Sequence, residues 1–600
     1  MRKKKHCSRN NLRIKKVGGI LVDGFCKARQ GNKFLQPFFV GTVNCGDCFD
    51  GLNQIDTMRL PLFLRQAGVC LAFGAVLALQ STPLLTIVGR HSLWVAFCLF
   101  AGQMALYGMV FSLLAHLAPK WLWKAFFLVL FLIGACTLVA YYKFSVIMNP
   151  DMVENILATD RREAFEFINW RFVALAGLTF LPALFLTVLW KHAPMRRCVG
   201  LCVAQSLFCF ALTTLALGGL FAVSGQFMPL MRQYRQARYL AIPAASIYSF
   251  VYTLVRDRTP EPTSRLVIDP APKIEAAGKR PLFVLMVIGE TARKQNWGLS
   301  GYKRQTTPEL TKRSVVNFTD VTACATSTSV SLPCMFSRIG RDNYDRRRIE
   351  AEESILWVIE RAGVKLRWLE NQGGAKDSCP PQRVETPKAN KIYCDSEDCQ
   401  DMVLMRTVQE AIANPKKASH ELMVLHTMGS HGPAYWRRTP ADFRPFGQGC
   451  VNDDMTACTK EEVRDSYDNS IAYTDMFLAS LIDALNVKGV DTVLFYVSDH
   501  GESLGERGMW LHGAPMWMAP SEQTRVPMVL WMNAGAKERF EVDPERVEKA
   551  SHTVLSHDNI ASTLLGLTEV KSKVWEAKKD ILLMIQSEKS AQHRREQASR

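Results

Sequence analysis

Apolar runs long enough to cross a lipid bilayer constrain this chain more than any other feature. They fall near 69–88, 93–114, 121–142, 172–190 and 198–223, each close to the ~20 residues a helix needs to traverse hydrocarbon. Hydrocarbon offers no partner to free backbone groups, so such runs must become helices. The first is interrupted by Gln80, Ser81, Thr82 and Pro83 and is the weakest of five expected spans. Lys and Arg set the orientation. Residues 1–65 carry 13 basic and 4 acidic side chains, +9 of the chain's +17, which keeps that end in the cytoplasm. Lys120 and Lys124 beside the second connection agree, as do Lys191, Arg196 and Arg197 in the fourth. Five spans then carry everything beyond about Ser224 to the far side. The basic excess is therefore a topology signal with some affinity for anionic lipid, and it does not point to nucleic acid.

The expected organisation is a basic cytoplasmic leader (1–65), a five-span region (66–224), an interfacial helix and proline-rich linker (225–280), an α/β domain (281–570) and a charged tail (571–600). The leader lacks the apolar core of a cleavable signal. Met58, ahead of RLPLFLRQ, reads as a more natural start, which would make 58–600 the true chain. Ten of the 17 cysteines are scattered through the leader and membrane region. The other seven, in the C-terminal half, are spaced like disulfide-closed loops in an oxidising compartment. The spacings favour Cys324 with Cys334, Cys394 with Cys399 and Cys450 with Cys458, leaving Cys379 as a free thiol.

From Pro281 onward, strand-like runs (PLFVLMVIGE, VKLRWLEN, ELMVLHTMG, DTVLFYVSD, RVPMVLWM) alternate with helical ones (EESILWVIERAG, NSIAYTDMFLASLIDALN, SHDNIASTLLGL). Such alternation predicts an α/β domain with a largely parallel central sheet. Three run ends carry possible ligands: Glu290, then His426 and His431, then Asp499 and His500, with His512 twelve residues further on. In a parallel sheet these ends share one edge. Carboxylates with imidazoles suit Zn²⁺, and by ligand type also Mn²⁺. The segment CATSTSVSLPC, from Cys324 to Cys334, offers hydroxyls just ahead of an expected helix. A helix N-terminus favours a bound phosphate, and a hydroxyl on a metal is a strong nucleophile at neutral pH. Between the third and fourth spans, VENILATDRREAFEFI sets Asn155, Thr159 and Glu163 at i, i+4 and i+8, one face of a helix.

The motifs GETARKQNWGLSGYKRQTTPEL, TSTSVSLPCMFSR, HTMGSHGPAY and VSDHGESLGERGMWLHG together resemble the phosphoethanolamine transferases that modify lipid A. These are membrane members of the alkaline phosphatase and sulfatase superfamily, and they include the enzymes behind colistin resistance. The resemblance runs from about Met58 to about Leu567. It implies a five-helix membrane domain and a periplasmic sulfatase-like domain at the bacterial inner membrane. It implies Thr328 as nucleophile, Glu290, Asp499 and His500 beside Thr328 as zinc ligands, and His431 and His512 on the phosphoryl group or a second zinc, with His426 assisting. Asn371 and Lys376 match contacts to phosphoethanolamine, and Asn155, Thr159 and Glu163 match positions serving the lipid substrate. The implied reaction passes phosphoethanolamine from phosphatidylethanolamine, through a phosphoethanolamine-threonine intermediate, to a phosphate of lipid A. A core heptose or another periplasmic glycan is the alternative acceptor, and glycerol-phosphate transfer of the lipoteichoic acid synthase type the alternative reaction. A monomer is expected, and the modification would lower outer-membrane charge and confer polymyxin resistance. A sulfatase is disfavoured, because no Cys/Ser-x-Pro-x-Arg frame surrounds the hydroxyl-rich segment.

Overall fold

The computed structural model describes residues 59–600 except 145, 159–167, 169, 190–198, 224–234, 258–264, 275–279, 388–391, 396–397, 414–418, 453–454 and 600. Residues 1–58 of the expected leader therefore lie outside the described residues, as do Thr159 and Glu163, whereas 59–65 belong to the first helix. Helices α1 (Arg59–Leu79) and α2 (Thr82–Gly89) begin the membrane region, followed by α3 (Leu93–Leu117), α4 (Lys120–Phe144), α5 (Pro150–Ala158), α6 (Trp170–Leu189) and α7 (Val199–Ala222). Among the described residues, α3, α4, α6 and α7 are each long and apolar enough to cross a membrane. The fifth passage differs from expectation. Its helix starts at Arg59 rather than near Val69, and α1 and α2 bend by 73° at Gln80 and Ser81. The break is stabilised from outside the helix: Gln80 Nε2 donates to Phe131 O at 3.0 Å and Ser81 Oγ to Ile242 O at 2.9 Å, which is how polar groups persist at membrane depth. Large apolar side chains such as Leu93, Phe210, Leu215 and Phe221 point outward, as a lipid-facing surface requires.

Helix α8 (Ala244–Asp257) exposes Tyr248, Phe250, Val251 and Val255 while burying Ser249 and Thr253, an apolar outer face consistent with an interfacial position. Beyond it the sheet strands are β1 (Leu282–Gly289), β2 (Val316–Phe318), β3 (Lys365–Glu370), β4 (Val384–Glu385), β5 (His420–His426), β6 (Asp491–Ser498) and β7 (Met528–Met532). Their seven-stranded order is β2-β7-β6-β1-β5-β3-β4. The run β6-β1-β5-β3-β4 is parallel, whereas β7 pairs antiparallel with β6 and β2 antiparallel with β7. Strands β1 and β6 are buried at every position, which explains the apolar runs Leu282–Ile288 and Val493–Val497: both faces of a parallel sheet are covered. Alternate side chains feed two separate cores, Val284, Met286 and Ile288 on one face and Leu285 and Val287 on the other.

The last thirty residues are less tail-like than expected. Val570–Lys571 pairs with Lys273–Ile274, and Ile581, Leu582 and Ile585 are buried in the first core. The apolar ILLMI pentad outweighs the charged composition around it because it joins the core that Val570, Val574 and Trp575 also line.

Candidate metal centre

The parallel pairing decides the site. Ile288 lies opposite both Val497 and His426, and Gly289 opposite Ser498, so Glu290, His426 and Asp499 emerge together from the C-terminal edge of the sheet, where α/β folds keep their ligands. Among the described residues, Glu290, Asp499 and His500 offer ligand atoms within 4.8 Å of one another. All three are fully buried. Thr328 is the first residue of helix α9 (Thr328–Met335). Its Oγ1 stands 3.1 Å from Glu290 Oε2 and 3.3 Å from both Glu290 Oε1 and His500 Nε2. The sequence motifs thus converge on one point across more than two hundred positions.

The electrostatics call for a cation. Burial raises the Asp499 carboxyl above its usual range, and burial, followed by repulsion from His512, holds His500 well below the ordinary imidazole value. Asp499 Oδ2 makes no hydrogen bond and faces His500 Nε2 at 3.3 Å. Two buried carboxylates beside a buried imidazole are unfavourable alone and become favourable around a divalent ion. The donor set of two oxygens, one nitrogen and a hydroxyl fits Zn²⁺. His500 Nδ1 lies 3.0 Å from Gly501 O, which leaves Nε2 free to face the cluster.

The remaining histidines are arranged around this point. The His512 ring lies 4.5 Å from that of His500 and 5.4 Å from that of His431. His512 Nδ1 meets Glu502 Oε2 at 2.8 Å, and Tyr435 OH donates to Glu502 Oε1 at 2.6 Å, so a fully buried carboxylate orients the ring. His426 Nδ1 lies 3.0 Å from both oxygens of Glu370, while its buried Nε2 has no hydrogen-bond partner. Burial alone would raise the Glu370 carboxyl, but His426, the Trp368 indole and the Gln372 amide together hold it at about 2. Asn371 turns away: its Nδ2 donates to Cys399 O and Asp401 Oδ1. Lys376 lines a cleft of about 460 Å³ beside α9, with Ser329, Arg265 and Arg346 on its walls. Glu154 of α5 also lines that cleft and pairs with Arg346, and Met152 lies beside Gly513. Asn155 is thus carried by the helix α5 that packs on α9.

Backbone strain marks the same region. Thr291, directly after Glu290, has φ +54°, and Leu511, directly before His512, has φ +63°, conformations unfavourable for residues with a Cβ. Tyr467 on α10 (Lys460–Leu485) holds the first turn by donating to Thr291 O at 2.7 Å and accepting from Arg293 N at 3.0 Å. Glu370, Tyr467, Glu502 and His557 were not among the expected site residues, since each reaches the centre only through tertiary contact. Cys324 pairs with Cys334, Cys394 with Cys399 and Cys450 with Cys458, and Cys379 is free and buried.

Comparison with known proteins places this arrangement. The sulfatase family profile matches residues 283–570, and the profile of phosphoethanolamine transferase EptA/EptB matches 106–258. Phosphoethanolamine transferase EptA of Escherichia coli K12 is 33% identical over 475 residues, 77% of this chain and 85% of the relative. The chain belongs to the EptA family of phosphoethanolamine transferases. Phosphatidylethanolamine transferase Mcr-1 of Escherichia coli is 32% identical over 473 residues, 75% of this chain and 84% of that protein. The integral membrane lipooligosaccharide phosphoethanolamine transferase A of Neisseria meningitidis superposes with TM-score 0.77 at 30% identity, covering 87% of this chain and 98% of that one. The EptA-family chain is accordingly a multi-pass inner-membrane protein with its α/β domain in the periplasm.

Proposed function

We propose that this protein transfers phosphoethanolamine from phosphatidylethanolamine to a phosphate of lipid A through a covalent intermediate on Thr328, with Zn²⁺ held by Glu290, Asp499, His500 and Thr328. The observation that carries the proposal is the Thr328 hydroxyl lying within 3.3 Å of both Glu290 and His500 at the start of a helix, beside three further histidines. Bound zinc supplies a positive charge that lowers the hydroxyl's pKa and offsets phosphoryl charge. Oγ1 of Thr328 bonds to phosphorus, the glyceride P–O bond breaks, and the proton lost by the hydroxyl is made up on departing diacylglycerol. A lipid A phosphate oxygen then bonds to phosphorus, the phosphorus–Oγ1 bond breaks, and Thr328 regains its proton from the acceptor phosphate or solvent. His431 and His512 face the equatorial oxygens, whose charge is the main burden of phosphoryl transfer.

The membrane domain confines donor and acceptor near this centre and raises their effective concentration. The cleft with Lys376, Arg346 and Glu154 presents both signs of charge, which suits a zwitterionic headgroup; Asn155, Thr159 and Glu163 are proposed to serve the lipid on the membrane side. We assign the protein as a monomer, and residues 281–570 with the Ile581–Ile585 segment as the catalytic domain. The added ammonium group lowers the negative charge of the outer membrane, the physical basis for reduced polymyxin binding. Mass spectrometry of lipid A and core from an expressing host tests the assignment. Phosphoethanolamine on a lipid A phosphate is expected, absent with Thr328→Ala; modification by that variant, or of the core alone, refutes it.

A further inference from the structure

His557 stands outside every motif that marks the site. It follows Val554–Ser556, a short strand paired in parallel with Asp320–Thr322, and precedes helix α11 (Ile560–Leu567). Its side chain is 1% exposed. Nδ1 accepts the Cys324 N–H at 3.1 Å, and Nε2 lies 3.0 Å from Ser498 O. A backbone amide can only donate and a carbonyl can only accept, so the contacts fix the tautomer: Nδ1 is bare and Nε2 carries the hydrogen. Cys324 begins the loop that leads to Thr328, and Ser498 precedes Asp499 and His500. One ring therefore ties the nucleophile's loop to the strand end that bears two metal ligands. A second tie runs beside it, with Ser331 Oγ donating to Asp499 O at 2.5 Å and lying 3.4 Å from His557 Nδ1.

The ring itself is held in place. Ser556 and Asn559 form a reciprocal cap around His557 and Asp558, and Asp558 accepts from the Arg341 and Asp342 amides at 2.5 and 3.2 Å. The brace touches no group that reacts, yet it spans the two segments whose separation sets the distance from the Thr328 hydroxyl to Glu290 and His500.

We propose that His557 is a positioning residue that sets the nucleophile-to-metal-ligand distance through its paired bonds to Cys324 and Ser498; this rests on Thr328 being the nucleophile. Misplacing a reacting group by about 1 Å costs on the order of 10²-fold in rate, and lost outer contacts around a metal centre cost about 10- to 100-fold.

The test uses the full-length, zinc-loaded protein in detergent with fluorescent phosphatidylethanolamine and lipid A, measuring kcat, KM and zinc per chain. His557→Phe keeps the ring's bulk and removes both bonds. Its kcat should fall about 30- to 100-fold with donor KM within about twofold and unchanged zinc content. His557→Asn restores an acceptor near Nδ1 and should recover roughly fivefold or more of that loss by the same positioning logic. A His557→Phe protein with kcat within about threefold of the unaltered chain, a loss confined to KM or accompanied by equal zinc loss, or no recovery in His557→Asn would overturn the proposal. Should His557→Phe fail to fold, His557→Asn and Ser331→Ala carry the same kcat-against-KM comparison. Thr328→Ala is run alongside: activity there refutes the nucleophile assignment, whereas an inactive Thr328→Ala with a fully active His557→Phe refutes only the brace.

Discussion

Gly429 offers a sharp perturbation because it presses on the backbone of Glu290, the proposed metal ligand. Its φ is +52°, and a Cβ added there would stand 2.7 Å from Glu290 O, 2.8 Å from Glu290 N and 3.1 Å from Glu290 Cβ. The loop cannot easily retreat: Met428 and Gly429 donate to Asp401 at 2.8 and 2.9 Å, and Ser430 N donates to Glu290 O at 3.0 Å. In Gly429→Ala the left-handed backbone costs about 1–2 kcal/mol, and overpacking against backbone atoms adds roughly 1–3 kcal/mol. The sum, about 2–5 kcal/mol, corresponds to a melting temperature lower by roughly 4–10 °C at about 2 °C per kcal/mol for a domain of this size. Relief of the clash must move Glu290, so zinc affinity should fall together with stability. Gly301→Ala is the control, since Gly301 has φ +87° and nothing within 4 Å of an added Cβ; it should show strain without loss of zinc. Calorimetry and chelator-competition zinc titration of both variants decide the matter. Gly429→Ala with normal zinc affinity, or no less stable than Gly301→Ala, would refute the reasoning.

Chelation should abolish transfer, and Zn²⁺ should restore it better than Mg²⁺, as expected for mixed carboxylate and imidazole ligands; equal recovery with Mg²⁺ would contradict the zinc assignment. His512→Ala should lower kcat by roughly 10²- to 10³-fold, the usual worth of a charge-stabilising donor, and steady-state kinetics showing no change would make the residue structural. Cys379 is buried and its thiol is pushed up to about 12 by burial, so an alkylating reagent should modify it only after denaturation, with six periplasmic cysteines protected on peptide mapping. The Glu370 carboxyl falls from 4.5 to about 2. Its contribution, on the order of 3 kcal/mol, is present above pH 4.5 and lost as the pH falls toward 2. Glu370→Gln should therefore flatten the acid limb of melting temperature against pH, and an unchanged limb would show that other groups govern it.

Local sequence carried much of this protein. Apolar runs of spanning length dictate membrane helices because hydrocarbon cannot satisfy a free backbone, and shorter apolar runs within β1 and β6 dictate strands covered on both faces. Strand ends followed by Glu290 and by Asp499 with His500 pointed to one edge of one sheet, since parallel topology brings such ends together. The cysteine pairs were legible too, each closing ten or fewer positions of chain. What tertiary structure alone decided depends on contacts between remote segments. Gln80 and Ser81 bend the first passage because Phe131 and Ile242 accept their hydrogen bonds. Asn371 faces Asp401 rather than the cleft, and the ILLMI pentad enters a core assembled from other strands. Glu370 ends a strand and Glu502 lies inside a quoted motif, but neither position says which histidine it orients, and His557 falls outside the four motifs. A buried residue that orients another through a hydrogen bond is defined by where its partner's chain passes, and that is fixed only when the sheet closes around it.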